Sequence, residues 1–431
     1  MIYILFIGIL ILFFISFFLF KKNILNPSVI LCSVFLVSLF FSILNVKKWR
    51  IVFYLNTVSV ILGTIIVFIL GNSIIYLLPQ NTKINKKNLI KKKIQIKKIP
   101  FKIIFLINLL SLTLLYKNFQ EVYQLSLIGG NPGGYNLMLY YARNAKSLFF
   151  TLSRLITYGS YFVKAVAYIC FFLFSYLTIF DKFKIKNLFL LFSVIIYCCF
   201  IILSTGRTEF IYLLIYILVT FFILYQQKYN FKVTKKIIFY GILTLIIFFI
   251  IFILTGLFTG KTQASKNIFE MLSIYAGSSL PAFNIYMNNS TKTLDTYFGE
   301  NTLFLIYDIL RKLNYGIPKL YIPYEFIYFG EIYTNIYGAI RRYYEDFGIG
   351  GLFIIVFLLG IFYGVFFNFA SYKKNNFFVL ILYASFCFPI FEFPIEERFF
   401  MLLFPQGFIY NFIALGITYY FLIYKNMKKE K

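Results

Sequence analysis

The stretch 187–225, NLFLLFSVIIYCCFIIL-STGRTEF-IYLLIYILVTFFILY, consists of two long apolar runs joined by a short polar corner. About 17–25 apolar residues cross the hydrocarbon core of a bilayer as one helix, so the runs predict spans near 187–204 and 209–225. The corner, Ser204–Phe210, contains an arginine and a glutamate although both neighbouring runs exclude charge. The chemistry open to this corner depends on the side of the membrane that it faces.

The composition of the whole chain indicates a membrane protein. Its 431 residues are 61% hydrophobic and only 13% charged, with a mean hydropathy of +0.82. A soluble domain is about half apolar and about a quarter charged. Alternating strands of about ten residues, which are typical of outer-membrane barrels, are not apparent. We therefore expect an all-α, polytopic integral membrane protein that forms a single domain over 1–431.

The apolar runs predict eleven spans. The first run has no basic leader and no small-residue cleavage site, and it is longer than a signal-peptide core, so we interpret it as a retained span. The predicted spans lie near 2–20, 27–45, 51–78, 101–116, 156–180, 187–204, 209–225, 237–258, 350–370, 376–392 and 400–424.

The distribution of charge predicts the orientation of these spans. Lysine-rich connectors follow the third, fifth, seventh and ninth spans, and a lysine-rich tail ends the sequence. Short loops rich in Lys and Arg stay in the cytoplasm, so the C-terminus is expected inside and the N-terminus outside. Of the fifteen Asp and Glu residues, only Asp181 and Glu430 fall on the cytoplasmic side. One connector, KKWR at 47–50, disagrees, because this topology places it outside.

The net charge of +27 also occurs in nucleic-acid-binding proteins. Here the lysines concentrate in the cytoplasmic connectors, where they attract anionic lipid headgroups. We therefore expect the lipid bilayer as a partner, and no nucleic acid. The chain has no histidine, and its five cysteines all lie inside apolar runs without the spacing of metal ligands. No metal and no other cofactor is expected.

Three segments fall on the predicted external side: 117–155, the corner, and the long segment 259–349. The last is far longer than an ordinary connection, which favours a functional role. We interpret it as one large external loop that carries short interfacial helices with their apolar sides on the membrane. One helix is predicted over IYDILRKLNYGIP, and a second over TNIYGAIRRYYEDFG, with Thr334 as its N-cap.

Arg207 in the corner has two interpretations. It is either an interfacial arginine that extends to the lipid headgroups, or a guanidinium presented at the mouth of a cavity. In the second case Gly206 permits a tight turn, and the planar guanidinium binds a phosphate or diphosphate through two hydrogen bonds. The residues alone do not separate these alternatives.

The sequence AIRRYYEDF places Arg341, Arg342, Glu345 and Asp346 close together. One interpretation is a solvated helix face on which Arg341 and Glu345 pair at i, i+4. In the other, an arginine binds an anionic leaving group, and Glu345 or Asp346 activates a hydroxyl group. A carboxylate is the natural general base in a chain without histidine.

Arg143 follows the Gly/Pro-rich turn GGNPGG, and it is either an interfacial anchor or a ligand contact. The glycines of this turn match neither a phosphate-binding loop nor a dinucleotide fingerprint, so nucleotide binding is not indicated. Four tyrosines of the external segment are candidates for stacking on sugar rings, with placement at the membrane interface as the alternative. They are Tyr321, Tyr324, Tyr333 and Tyr337.

Three stretches, SIYAGSSLPAFNIYMNN, YFGENTL and EIYTNIYGAIRRYYEDFGIGGLFIIVFLLGIFYGVFF, resemble in this order the signature region of Wzy-type O-antigen and capsule repeat-unit polymerases. The stretch STGRTEFIYLLIYI is similar to the glycine–arginine motif that the family carries near the middle of the chain. The resemblance covers the region from Ser204 to about Phe367. The first half of the chain matches only as a succession of spans.

The resemblance implies an inverting, glycosyltransferase-type polymerase at the outer face of the bacterial cytoplasmic (inner) membrane. The donor is a glycan on undecaprenyl diphosphate, and the acceptor is the non-reducing-end sugar of another lipid-linked repeat unit, so no nucleotide sugar is needed. By position, Arg207 and either Arg341 or Arg342 bind the anionic carrier or glycan. A chain-length regulator protein is an expected partner. The related ligases use an external histidine, which this chain lacks.

The alternative function is a transporter or flippase of the same lipid-linked oligosaccharides. Transporters carry ionisable residues deep inside their spans and often contain internal repeats. In this sequence Lys164 is the only charge well inside a predicted span, and no internal repeat is evident. The polymerase interpretation is therefore favoured.

Overall fold

A computed structural model describes residues 1–77, 95–96, 100–135, 137–181, 184–206, 208–229, 243, 268–289, 297–317, 325–372, 376–403 and 406–428. The helices are α1 (Ile2–Leu19), α2 (Pro27–Leu44), α3 (Leu55–Leu77), α4 (Phe101–Ile128), α5 (Met138–Ser147), α6 (Arg154–Phe180), α7 (Phe189–Ser204), α8 (Thr208–Lys228), α9 (Ile268–Gly277), α10 (Ser279–Asn289), α11 (Phe304–Lys312), α12 (Ala339–Tyr372), α13 (Phe377–Phe386), α14 (Phe388–Glu392), α15 (Phe399–Leu403) and α16 (Gln406–Leu422). The strands are β1 (Gln95–Ile96), β2 (Ile327–Phe329), β3 (Ile332–Thr334) and β4 (Met427–Lys428). β1 pairs with β4, and β2 pairs with β3, both antiparallel.

The structure confirms the all-α, polytopic membrane fold. Nine helices within the described ranges are long and apolar enough to cross a membrane, and the shorter apolar stretch Phe377–Glu392 matches the tenth predicted span. The predicted span at 237–258 lies outside the described residues. The largest difference is in α4, which continues to Ile128 although the span was predicted to end at 116.

The chain divides into two compact units. The first unit contains 1–82, 267–369 and 387–405. The second unit contains 83–266, 370–386 and 406–431. The first unit therefore holds α12 up to residue 369, and the second holds the helices on both sides of the corner.

Close helix packing in the first unit depends on glycine. A Cβ atom on Gly360 of α12 would lie 2.4 Å from the carbonyl oxygen of Phe68 in α3, and one on Gly71 would lie 2.2 Å from the carbonyl oxygen of Phe357. In a membrane, small residues let helices approach closely, and dispersion contacts between their backbones then drive association. The sequence of α3 and α12 therefore specifies this helix pair through its glycines.

Replacing Gly360 with Leu is expected to destabilise the protein. The added side chain collides with the backbone of α3, and overpacking of this kind costs about 1–3 kcal/mol. The measurement is the thermal unfolding midpoint of the purified protein in detergent. Gly416→Leu is the matched control, because a Cβ atom at Gly416 meets nothing within 4 Å. Equal midpoints for the two variants would contradict the close approach of α3 and α12.

The connector that contains KKWR contacts the segment 259–349. Lys48 Nζ lies 3.0 Å from Glu270 Oε1 and 3.5 Å from Glu331 Oε2. Trp49 is fully buried and meets the Phe329 ring edge-on at 6.1 Å. The connector therefore lies beside these residues, and their carboxylates pair with its Lys48.

Two local predictions in the segment 259–349 need correction. Thr334 is the last residue of β3, and α12 begins only at Ala339, so the predicted N-cap is wrong. α11 ends at Lys312, earlier than its apolar pattern suggests, and Asn314 just beyond it has a φ of 63°. α11 buries none of its side chains, as expected of an amphipathic helix that lies on a surface.

Candidate functional site

The charged residues of α12 lie ahead of a break in the helix. Gly348 has a φ of 65° and a ψ of −168°, which no helical residue adopts, and it separates the charged start of α12 from its apolar remainder. Glycine tolerates this positive φ because it has no Cβ atom. The break therefore separates Arg341, Arg342, Glu345 and Asp346 from the long apolar part of the helix. We refer to these four residues as the arginine cluster.

Arg341 is stacked between two tyrosine rings. Its guanidinium carbon lies 4.0 Å from the ring centre of Tyr286 and 4.1 Å from that of Tyr337, and the side chain is 3% exposed. Its Nη2 donates to Glu325 Oε2 at 2.6 Å, and its Nε lies 3.4 Å from Glu345 Oε2. Stacked, doubly paired guanidinium groups are held rigidly. Arg341 is thus better placed to orient Glu345 than to reach a ligand.

Tyr337 is buried beside Arg341 rather than exposed to a sugar. Its hydroxyl donates to the Glu325 carbonyl oxygen at 2.9 Å, and burial raises its pKa to about 12. Tyr333 lies on the exposed side of the β2–β3 hairpin, stacked on Tyr328 at 4.2 Å. Tyr321 and Tyr324 lie outside the described residues. Of the four candidate tyrosines, Tyr333 is the one that the structure shows exposed.

Arg342 and Asp346 hold the loop 297–303 against α12. Arg342 Nη1 donates to the Asn301 carbonyl oxygen at 2.8 Å, and its side chain is 5% exposed. Asp346 Oδ1 accepts hydrogen bonds from the backbone and side-chain nitrogens of Asn301, and Oδ2 accepts one from the Thr302 nitrogen at 2.6 Å. Both carboxylate oxygens are therefore engaged in fixing the loop. Glu345 and Asp346 are both half-buried, and Glu345 pairs with Arg341.

The connector 393–399 adds charged residues to the first unit that the sequence reasoning missed. Arg398 Nε lies 3.0 Å from Glu392 Oε2, and Arg398 Nη2 lies 2.5 Å from Glu396 Oε2. Glu397 is fully buried and accepts hydrogen bonds from the Tyr343 hydroxyl and from two backbone nitrogens. Burial raises the pKa of the Glu397 carboxyl, while these hydrogen bonds and the charge of Arg342 act in the opposite direction. The signal was present in FEFPIEERFF, which places three charges between the last two predicted spans and a fourth, Glu392, at the end of the first of them.

The corner lies in the second unit, and Arg207 itself is outside the described residues. α7 ends at Ser204, Thr205 adopts the left-handed conformation with a φ of 62°, and Gly206 donates its N–H to Ser204 Oγ at 3.2 Å. The positive φ of this turn lies at Thr205, and Gly206, the predicted turn residue, follows it. α8 begins at Thr208, so Arg207 follows α7 and precedes α8 in the sequence.

Lys164 is paired across the corner. Its Nζ lies 2.8 Å from Oε2 of Glu209 in the first turn of α8, and the Tyr197 hydroxyl donates to the same oxygen at 2.8 Å. The ammonium group also lies 5.8 Å from the ring centre of Tyr168 and 5.7 Å from that of Tyr212. The lone charge inside a predicted span is thus one half of an ion pair with the corner.

α5 covers the end of α7. Lys146 Nζ donates to the Ser204 carbonyl oxygen at 2.9 Å, where a cation complements the C-terminus of a helix. Burial lowers the pKa of Lys146 to about 8. Ala142, Ala145 and Leu203 share an apolar cluster that joins α5 to α7 and to the end of α4. Arg143, on the same helix, is exposed.

The two sets of charges differ in balance. Around Arg341, Arg342 and Arg398 of the first unit the structure describes six carboxylates, those of Glu325, Glu345, Asp346, Glu392, Glu396 and Glu397. Around the corner the described cations Lys146 and Lys164 accompany Glu209, and the sequence adds Arg207. The described charge is therefore net positive around the corner and net negative around these three arginines. Within the described ranges, no three His, Cys, Asp or Glu side chains converge in a way that holds a metal ion.

Comparison with known proteins gives one informative relative. The chain is 28% identical over 232 residues to a protein named O-antigen polymerase from Shigella dysenteriae. The match includes 53% of this chain, and the chain spans 56% of the length of that relative. No protein-family model matches the chain, and no solved structure matches it. The relative confirms the resemblance to O-antigen polymerases that the sequence motifs indicate.

Proposed function

We propose that this protein polymerises oligosaccharide repeat units linked to undecaprenyl diphosphate, building a surface polysaccharide such as O-antigen or capsule. The reaction is glycosyl transfer at the outer face of the cytoplasmic membrane, independent of metals and nucleotide sugars. The observation that carries the proposal is the similarity to an O-antigen polymerase over about half of the chain. A chain-length regulator protein is a proposed partner.

The diphosphate of the donor is assigned to the corner of the second unit. Arg207 binds it through its planar guanidinium, as the sequence motif implies, and Lys146 and Lys164 supply further positive potential. Developing charge on a leaving diphosphate is stabilised by cations fixed in a site of low dielectric constant. Exposed Arg143 on α5 is a proposed contact for the glycan or carrier outside this corner.

The hydroxyl group of the acceptor is assigned to the arginine cluster of the first unit. Glu345 is the proposed general base, because both carboxylate oxygens of Asp346 already accept hydrogen bonds from the loop 297–303. Arg341, Arg342 and Tyr337 act as positioning residues that hold the cluster in shape. This assignment gives the two predicted carboxylates different roles.

The bond changes follow from these roles. The acceptor oxygen attacks the anomeric carbon of the donor glycan, and the bond from that carbon to the diphosphate oxygen breaks. Glu345 accepts the hydroxyl proton, and the undecaprenyl diphosphate leaves as an anion. General-base catalysis of this kind contributes about 10²–10⁴-fold to a rate.

A flippase of the same lipid-linked units is the second candidate function. The observation that favours it is the Lys164–Glu209 ion pair, since ionisable residues inside spans often mark a substrate pathway. Transport does not need an external loop as long as the one predicted over 259–349. Glycosyl transfer, in contrast, requires groups that bind both the donor and the acceptor. The polymerase therefore remains the preferred function.

A deletion strain separates the two functions. If the protein is a polymerase, export still operates, and single repeat units are expected on the outer face or as a one-repeat cap on the surface acceptor. If it is a flippase, lipid-linked units remain on the cytoplasmic leaflet and no external repeat forms. The measurement is the size of the surface glycan by gel electrophoresis and mass spectrometry. Absence of every external repeat unit, with intact units trapped inside, would contradict the polymerase proposal.

A further inference from the structure

The two partners of the Lys164–Glu209 ion pair differ in how far they are enclosed by the protein. Lys164 lies ten residues after the start of α6, which corresponds to about 15 Å along the helix axis. Its side chain is 16% exposed, whereas that of Glu209 is 39% exposed. The carboxylate therefore lies partly exposed at the protein surface, and the ammonium group is largely enclosed.

The surroundings of Lys164 hold its charge in place. The rings of Tyr168 and Tyr212 flank the ammonium group, and Tyr168 is itself stacked on Tyr216 with ring centres 3.9 Å apart. A cation over aromatic rings is stabilised by their electron-rich faces, although these faces do not neutralise it. The enclosed cation therefore still requires an anion, which the resting protein supplies from Glu209.

The position of Glu209 is also favourable for other anions. Glu209 lies in the first turn of α8, where the unpaired backbone N–H groups and the helix dipole favour negative charge. The Tyr197 hydroxyl, which donates to Glu209 Oε2, is a further hydrogen-bond donor at the same place. The place that the carboxylate occupies thus combines an enclosed cation, a helix start and a hydroxyl donor.

We propose that Lys164 and Glu209 form an exchangeable anion site, in which the Glu209 carboxylate occupies the place that the substrate diphosphate takes. The identity of the anion as a polyprenyl diphosphate rests on the proposed function. On binding, Glu209 turns outward to solvent, and Lys164 and Tyr197 transfer their hydrogen bonds to a phosphate oxygen. Lys164 is then a diphosphate ligand, and Glu209 sets the affinity by competing with the substrate.

An exchangeable anion site predicts that loss of Lys164 weakens anion binding and that loss of the Glu209 charge strengthens it. A purely structural ion pair does not predict stronger binding when Glu209 loses its charge. Farnesyl diphosphate is titrated onto the full-length protein in phosphatidylcholine nanodiscs. Lys164→Met is expected to weaken binding at least tenfold, and Glu209→Gln is expected to tighten it about tenfold because the competing charge is gone. Lys164→Arg keeps the charge and is expected to bind within a few-fold of the wild type. Lys228→Met, which removes a lysine bonded to the Ile179 carbonyl oxygen, is the matched control.

Weakened or unchanged binding in Glu209→Gln would overturn the proposal. Repeating the titration in phosphatidylglycerol nanodiscs tests whether the anion is a lipid headgroup instead. If phosphatidylglycerol abolishes farnesyl diphosphate binding to the wild type, the site belongs to bilayer phospholipid and the diphosphate assignment fails. This assay measures anion binding and detects no polymer. The anion-site proposal can therefore fail here while the deletion strain still supports polymerisation. The polymerase proposal can likewise fail in the deletion strain while this assay still shows anion exchange.

Discussion

An Arg207→Lys strain is expected to lose about 10- to 150-fold of its polymer output while the protein inserts at normal abundance. A guanidinium group binds diphosphate through two parallel hydrogen bonds, and the ammonium group of lysine offers a point charge instead. Loss of one charged hydrogen bond costs about 1.5–3 kcal/mol, which gives this range of rates. The measurement is the amount of long-chain surface glycan relative to the membrane level of the protein.

The matched control for Arg207→Lys is Arg311→Lys. Arg311 pairs with Asp308 on the partly exposed helix α11, and surface pairs of this kind contribute little. We expect wild-type polymer from this variant. Normal long-chain glycan in the Arg207→Lys strain would return Arg207 to the role of an interfacial anchor.

Glu345→Gln and Asp346→Asn are expected to fail in different ways. Glu345→Gln removes the proposed base and is expected to lower the polymerisation rate about 10²–10⁴-fold. The structural cost is small, because Arg341 keeps its 2.6 Å contact with Glu325. Asp346→Asn disturbs the three hydrogen bonds to the loop 297–303 and is expected to lower the unfolding midpoint, while the folded fraction keeps its activity.

The two variants are compared by rate per folded molecule and by thermal midpoint. If both variants lost a similar share of activity and kept the thermal midpoint of the wild type, either carboxylate could be the base. This result would contradict their separate roles. A stable Glu345→Gln variant with full activity would remove Glu345 from the chemistry. Both measurements use the purified full-length protein.

Hydropathy predicted the spans well because each apolar run is long and bounded by charge. It failed at the end of α4, where polar residues interrupt the run although the helix continues. Asn118, Val122, Leu125 and Ser126 recur at helical spacing, and all four are buried. The continuation of the helix was therefore visible in the periodicity, whereas the mean hydropathy concealed it.

The candidate site was predictable only in part. The motifs identified the region of Arg341 and Arg342, but the burial of both side chains depends on contacts with distant residues such as Glu325 and Asn301. The pairing of Lys164 with Glu209 joins residues 45 positions apart on different helices. No local pattern specifies such pairs, since they arise from how α6 and α8 pack together.

The most direct test of the central claim is polymerisation by the purified protein in liposomes that contain undecaprenyl-diphosphate-linked single repeat units. The account predicts a ladder of lipid-linked glycans that grows by one repeat unit per step, without added nucleotide sugar or divalent metal, and that is strongly reduced with Arg207→Lys. Single units that cross the bilayer at unchanged length would contradict it.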